Sequence, residues 1–335
     1  MVNGIAHPVV SPVQPAGGGG AEVLGTPVRA PDAPGAADTV ESWTRRPFRE
    51  RVKALPRLGL GVSTEYGAIH AGLDPLALAE RHPGWAGFLE VGVEVEKGLD
   101  AAALRWRASG RPTTYHFLDV NLDEPDDLDA GWVGEMAGLV DQLGAAWVCG
   151  DLGLWHFGVR DRAHMLLLPP VLSAASADAM AAGIRSLREG VGREVLPENP
   201  PGEVFVGDLH LLEYFARVAE AADTGLLCDL AHLAMYQRSR GLDWRAGLDS
   251  VPFERVVELH VAGGDLRDHE GYRWVEDTHG GEPLPEVWDL LGVFAERAPN
   301  LKAVVFECER NPLDAVLSGF ARIERVLSER GWGRT

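Results

Sequence analysis

From about Leu55 onward the chain alternates short apolar runs with longer segments in which apolar residues recur every three or four positions. The short runs are LGLGV (58–62), GFLEVG (87–92), TTYHFL (113–118), AWVCG (146–150), EVLPEN (194–199), GLLCDL (225–230), VVELHVA (256–262) and AVVFEC (303–308). Each is bounded by turn residues, the pattern of a strand buried on both faces of a parallel sheet. Helical patterns lie between them at 73–82, 126–144, 176–192, 209–223, 285–299 and 314–330. The second of these keeps its apolar spacing up to Gly144, a residue suited to a helix end. Eight strands with intervening helices over roughly 275 residues match the count and size of a (β/α)8 barrel, so the predicted fold is α/β of the TIM-barrel type. The competing doubly wound open sheet calls for a glycine-rich phosphate loop after its first strand. The glycines of GLGVSTEYG (59–67) lack that spacing.

Residues 1–50 have another texture. They are rich in Pro, Gly and Ala and show no periodicity. Such a segment buries too little apolar surface to offset the entropy of ordering it. It is expected to be a flexible extension, either dispensable or a tether, ahead of a barrel domain at 51–335.

The chain of 335 residues is 46% hydrophobic and 24% charged, an ordinary globular composition. Its formal net charge of -19 argues against a nucleic-acid-binding surface, which needs clustered Lys and Arg. The same charge suits a basic peptide or partner. No run approaches the roughly 18–20 apolar residues of a membrane span. No basic segment leads into an apolar core at the N-terminus, so no secretion signal is expected. Cys149, Cys228 and Cys308 form no CxxC pair and fall in or beside candidate strands. Buried reduced thiols and a cytoplasmic location are therefore expected.

The chemistry is concentrated where the strands end. Glu90, His116, Asp151, Glu198, Asp229, His260 and Glu307 close the second to eighth strands in order. His232 follows Asp229 by three positions, and Asp277 and His279 flank Thr278. A parallel barrel gathers its catalytic groups at this end of its strands. Carboxylates set among Val, Leu and Phe are costly to bury unpaired. Oxygen and imidazole donors together are the ligand mix of Fe, Mn or Zn centres with open positions. A lone DxxH or DxH is unspecific, but two such pairs with single acids and histidines at the other strand ends are hard to assign to chance. Asn199 stands beside Glu198, where its amide can orient a neighbouring carboxylate or a substrate carbonyl. Glu65, His70 and His156 are weaker ligand candidates, and Trp155, Phe157 and Trp274 are candidates for an apolar wall. His7, His82, His164, His210 and His269 read as tail, loop or helix-end residues.

The series Glu90, His116, Asp151, Glu198-Asn199-Pro200, Asp229 with His232, Glu258-Leu259-His260, Asp277-Thr278-His279 and Glu307 resembles the multinuclear non-haem iron-dependent oxidases, the methanobactin-biosynthesis-like family. LLLPPVLSAASADAM (166–180) also looks like a stretch of that family. The resemblance implies a TIM barrel holding two or three iron ions in mixed Fe(II)/Fe(III) states. Their ligands would be Glu90, His116, Asp151, Glu198, Asp229, His232, His260, Asp277, His279 and Glu307, with Asn199, Asp229 and His232 at the reacting centre. It further implies O2 as co-substrate, oxidation of a residue in a ribosomally made precursor peptide, and a partner protein that grips the peptide's leader. Two departures stand out. Where the family commonly has an Arg and a His after the first strand, this chain reads GVSTEYGAIH, with Glu65 and His70. Where it commonly has Glu after the fourth strand, this chain has the shorter Asp151. Two other readings of the same residues stay open: a divalent-metal sugar isomerase or epimerase, and a non-catalytic barrel binding module with a degenerate metal site.

Overall fold

The computed structural model describes residues 40–64, 72–158, 162 and 166–332. Most of the expected N-terminal extension, Glu65, His70 and His164 lie outside the described residues. The described elements begin with α1 (Val40–Thr44), α2 (Phe48–Ala54), β1 (Gly59–Thr64), α3 (Pro75–Arg81), β2 (Leu89–Val93) and α4 (Ala101–Ala108). There follow β3 (Thr113–Phe117), α5 (Ala130–Leu143), β4 (Val148–Asp151), α6 (Ala174–Val191), β5 (Val195–Glu198), α7 (Leu211–Ala222) and β6 (Leu226–Asp229). The chain continues through α8 (Leu230–Ser239), β7 (Val256–His269), β8 (Tyr272–Gly280), α9 (Pro285–Arg297), β9 (Ala303–Glu307) and α10 (Leu313–Glu329).

Strands β1 to β7 pair in parallel in chain order, and β9 lies between β7 and β1, so the sheet closes on itself. The result is an eight-stranded TIM barrel, as the sequence predicts. β8 is outside the ring and pairs antiparallel with the outer half of β7. A large apolar shell fills the space between strands and helices, with Trp106, Tyr115, Phe117, Met136 and Ile184 among its buried members.

Inside the ring the layers are chemically distinct. Trp43, Phe48 and Val52 of the first two helices pack with Phe88, Trp147, Leu196, Leu227 and Val305 at the floor. Arg51 anchors α2 there through Glu194, its Nε 2.7 Å from a carboxylate oxygen. The described fold therefore begins ahead of residue 51, because Trp43, Phe48 and Val52 supply an apolar face that covers the barrel base. Inward-facing side chains recur every second residue along a strand. Two positions above Phe88, Leu196, Leu227 and Val305 come Glu90, Glu198, Asp229 and Glu307. A floor that is apolar apart from Glu258 is thus topped by a layer of acids.

Candidate metal centre

Ladder register brings the donors level with one another. Asp151 is opposite Glu198, Asp229 opposite His260, and Ser63 opposite Glu90. Asp229 also ends β6 and caps α8, its Oδ1 accepting the His232 backbone N–H at 2.5 Å. That cap places His232 in the first turn of α8, at the mouth. Asp277 and His279 arrive from outside the ring. β7 runs on past the barrel, and β8 returns to it with Gly263 opposite Gly280 and Gly264 opposite Asp277. The two backbones pass so closely that a Cβ on Gly263 would lie 2.3 Å from the Gly280 carbonyl oxygen.

The side chains converge in three overlapping groups. His116 Nε2 is 2.8 Å from Glu198 Oε2 and 4.0 Å from Asp151 Oδ2. His260 Nε2 is 2.9 Å from Glu90 Oε1, and its Nδ1 is 3.0 Å from Glu198 Oε1 and 3.4 Å from Glu307 Oε1. At the rim, Asp277 Oδ2 is 3.3 Å from His232 Nε2 and 3.2 Å from His279 Nε2. Donor atoms of Glu90, His260 and Glu307 lie within 4.8 Å of one another, as do those of His116, Asp151 and Glu198, and those of Glu198, Asp229 and His232. Above them is a cavity of about 380 Å³, with Leu118, Trp155, Leu167 and Pro201 on its apolar side.

Whether these residues fit metal ions is decided by their spare valences. Asp151 Oδ1, Asp229 Oδ2, Asp277 Oδ1, Glu307 Oε2 and both ring nitrogens of His260 are buried without a hydrogen-bond partner. Orphaned polar atoms of this kind are rare in folded proteins and costly. His260 is close to its carboxylates yet not angled to hydrogen-bond them, as expected of groups that share a cation. Glu90, Asp151, Glu198, Asp229, Asp277 and Glu307 outnumber His116, His232, His260 and His279, so with every acid ionised even fully protonated imidazoles would leave negative charge uncompensated. The set fits bound cations, and its mix of imidazole and carboxylate suits Fe, Mn or Zn.

In the metal-free chain protons take the place of cations. Burial opposes charge on His116, but its hydrogen bond to Glu198 and the surrounding acids outweigh that and lift it to about 9. His260 is held well above the ordinary imidazole value in spite of burial, by Glu90, Glu198 and Glu307. His232 and His279 are raised in the same way. Burial and the negative charge of Glu198 push the Asp151 carboxyl up. Asp229 rises to about 7, through burial first. Glu198 itself is held far below the usual range, because His260 and His116 overcome its burial.

All ten residues expected as ligands stand in or against this cluster. Asn199 has a different place from a reacting group. Its Nδ2 donates to the Asp229 carbonyl at 2.9 Å, and its Oδ1 accepts from the Asp229 N–H at 3.0 Å. It clamps the end of β6 and does not line the cavity. His156 is turned away from the mouth, with Nε2 2.9 Å from Asp127. Of the three aromatic wall candidates, Trp155 lines the cavity, Phe157 is exposed, and Trp274 lines a separate groove on the β7–β8 hairpin. His82 stacks on Trp85 and His210 caps α7.

The sequence reading missed Glu309. It is buried at the mouth, with Oε1 2.6 Å from His279 Nδ1. Its signal was the two-residue spacing from Glu307. Three further groups lie beneath the expected ligands. Thr114 and Cys149 donate to Glu90 Oε2 at 3.3 and 3.0 Å, and Glu258 accepts the Trp147 indole N–H at 2.7 Å.

A TIM barrel whose mouth gathers carboxylates and imidazoles in clusters that could hold metal ions is the class the fold and site define. Residues 71–328 match the profile of the family described as RiPP precursor modification enzyme MbnB/TglH/ChrH, and the chain belongs to that family. The family expected from the sequence is thereby the family found. Relatives include a UPF0276 protein of Anaeromyxobacter sp. (strain Fw109-5), 25% identical over 74% of this chain and 84% of its own length. Another is a UPF0276 protein of Neisseria meningitidis serogroup B, 26% identical over 77% of this chain and 89% of that one. Among solved structures, a xylose isomerase-like TIM barrel protein from Mycobacterium smegmatis in complex with magnesium aligns with a TM-score of 0.51 at 12% identity. That match covers 86% of this chain and 91% of that one. At that identity the likeness is one of fold.

Proposed function

We propose that this chain is a multinuclear iron-dependent oxidase that uses O2 to modify one residue of a ribosomally made precursor peptide. The observation that carries the reading is the convergence of ten donors at one barrel mouth, several with buried valences that no protein group satisfies. Family membership supports the peptide substrate. Glu90, His260 and Glu307 would hold one ion, and His116, Asp151 and Glu198 a second. His232, Asp277 and His279, with Asp229, would complete a third position. Bound iron would supply the electrons for O2 chemistry that side chains alone cannot provide.

The protein's own contribution is order and exclusion. Thr114 and Cys149 hold one oxygen of Glu90, so that the other faces His260. Asn199 fixes the backbone of Asp229 from both sides. Trp155, Leu118, Leu167 and Pro201 give a substrate side chain an apolar wall and keep water from it. A cavity of about 380 Å³ admits a side chain and little more of a peptide. The rest of the substrate must be gripped elsewhere, and we assign that task to a leader-binding partner protein. A cytoplasmic location is part of the proposal, supported by three buried, unpaired cysteines. No helix among the described residues is long and apolar enough to cross a membrane.

The test is anaerobic purification, metal analysis and Mössbauer spectroscopy, followed by O2-uptake measurement with a candidate precursor peptide. Two or more Fe per chain with a mixed-valent signal and peptide-dependent O2 uptake are expected. Zn or Mn alone, with no O2 uptake, would sink the reading.

A further inference from the structure

We propose that Glu309 is a positioning residue of the metal centre, which fixes the ring of His279 and is itself fixed by Ser63 of β1. The inference rests on the mouth being a metal centre, and it adds two residues that the sequence pattern does not single out.

His279 needs such help. It lies on β8, which is outside the closed ring and tied to it through β7. Its backbone is in the left-handed region, at φ 47°, unfavourable for a residue with a Cβ. The turn after β9 holds it at two points. Glu309 Oε1 is 2.6 Å from His279 Nδ1, and Asn311 Nδ2 donates to the His279 carbonyl at 2.7 Å. A carboxylate can only accept, so Nδ1 carries a hydrogen, and once the ring is neutral the lone pair is on Nε2. Nε2 faces Asp277 at 3.2 Å and Glu307 at 3.8 Å, the direction in which an ion would be shared. A carboxylate behind a ligating imidazole sets the tautomer and ring orientation and raises ligand basicity.

The other oxygen of Glu309 is also engaged. Ser63 Oγ donates to Oε2 at 3.1 Å, and both residues are buried. Among the described residues of β1 this hydroxyl is the strand's link to the rim ligands. The first strand, whose following loop departs from the family pattern, thus reaches the centre through a chain of contacts: Ser63, Glu309, His279. His232 is presented by the same logic on the opposite side of Asp277. Its Nδ1 is 2.9 Å from the Asn199 carbonyl oxygen, which leaves Nε2 toward Asp277.

The experiment compares wild type, Glu309→Gln, Glu309→Ala, Ser63→Ala and His279→Ala after anaerobic loading with Fe(II) alone. Readouts are iron per chain, the affinity of the weakest ion, Mössbauer parameters, and thermal unfolding of the metal-free chain. Glu309→Ala should weaken one ion about 10- to 100-fold while the others stay bound. Glu309→Gln, which keeps the shape and an acceptor, should weaken it less and change its Mössbauer parameters. Ser63→Ala should give a smaller shift of the same ion. In a His279→Ala background, Glu309→Ala should cost nothing more, because the two act through one contact. Wild-type affinity and spectrum in both Glu309 variants overturn the inference. A further loss in the His279→Ala background overturns it as well, by making Glu309 a direct ligand. Wild-type protein that binds no metal overturns this inference together with the metal-centre reading. Metal binding in wild type that Glu309 does not affect overturns this one alone.

Discussion

His260 shows at the scale of one residue what the whole mouth requires. It has carboxylate oxygens at 2.9, 3.0 and 3.4 Å, yet neither ring nitrogen makes a hydrogen bond. Its partners are near but do not hydrogen-bond it. Asn199 is the complementary case, a polar side chain whose amide nitrogen and oxygen are both engaged by backbone. Replacing it by Ala strips the Asp229 N–H and carbonyl of their partners in a buried place. We expect Asn199→Ala to lower stability by about 1–3 kcal/mol, measured by denaturant unfolding of the metal-free chain, and to lower iron content because Asp229 loses its fixed position. Full iron content at reduced stability would show that Asp229 is not a ligand. His232→Ala should instead lose one ion with the fold intact, read as metal per chain beside an unchanged circular dichroism spectrum. Seven of the ten expected ligands stood out in the sequence because each closes an apolar run, where an unpaired charge would be costly. Glu309 did not, because CERNP reads as the polar turn that follows a strand. Only the fold shows that Glu309 is buried beside His279.

At the scale of elements, the eight ring strands could be read because burial on both faces leaves a continuous apolar run. The hairpin could not. GDLRDHEGYRW is polar and turn-like, and Leu266 and Tyr272 are exposed, so nothing in the pattern announces that β7 continues and β8 returns. Helix α4 was missed because its buried face is two alanines and Trp106. Helix α8 was missed because Leu230 to Gln237 are buried all round, which erases the helical period. The hairpin matters most for function, since it carries two of the expected ligands on a glycine crossing. A methyl group on Gly263 would meet the Gly280 backbone at 2.3 Å, and backbone cannot step aside as a side chain can. Gly263→Ala should push β8 off the mouth and remove the ion held by Asp277 and His279. The ring of eight strands needs none of that contact, so secondary structure should persist. Circular dichroism and metal analysis of the same sample decide the point, and wild-type iron content would show that the crossing does not set the ligand position.

At the scale of the whole molecule, protons balance the acids of the mouth in the metal-free chain where the proposed metal centre would balance them with cations, and pH separates the two. His116 is lifted from 6.5 to about 9 in the folded metal-free chain, and His232, His260 and His279 are raised as well. Groups of this kind bind more protons folded than unfolded. Their stabilising contribution is whole below the unfolded value and is lost as pH climbs through the folded one. For His116 that window runs from 6.5 to about 9. Glu307 is displaced the other way, down to about 2, so its contribution changes only in acid, below 4.5, outside this window. Between pH 6.5 and 9 the metal-free chain should therefore lose stability, with His116 accounting for about 3 kcal/mol at most. For a fold of this size that corresponds to a fall in Tm of roughly 5 °C. Metal binding draws on the deprotonated ligands and releases the same protons, so it strengthens over this interval. The gap in Tm between loaded and chelator-stripped protein should widen steadily from pH 6.5 to pH 9. Thermal unfolding of both forms across that range is the measurement. A stripped chain whose Tm is level or rising would mean that these imidazoles are not what balances the acids at the barrel mouth.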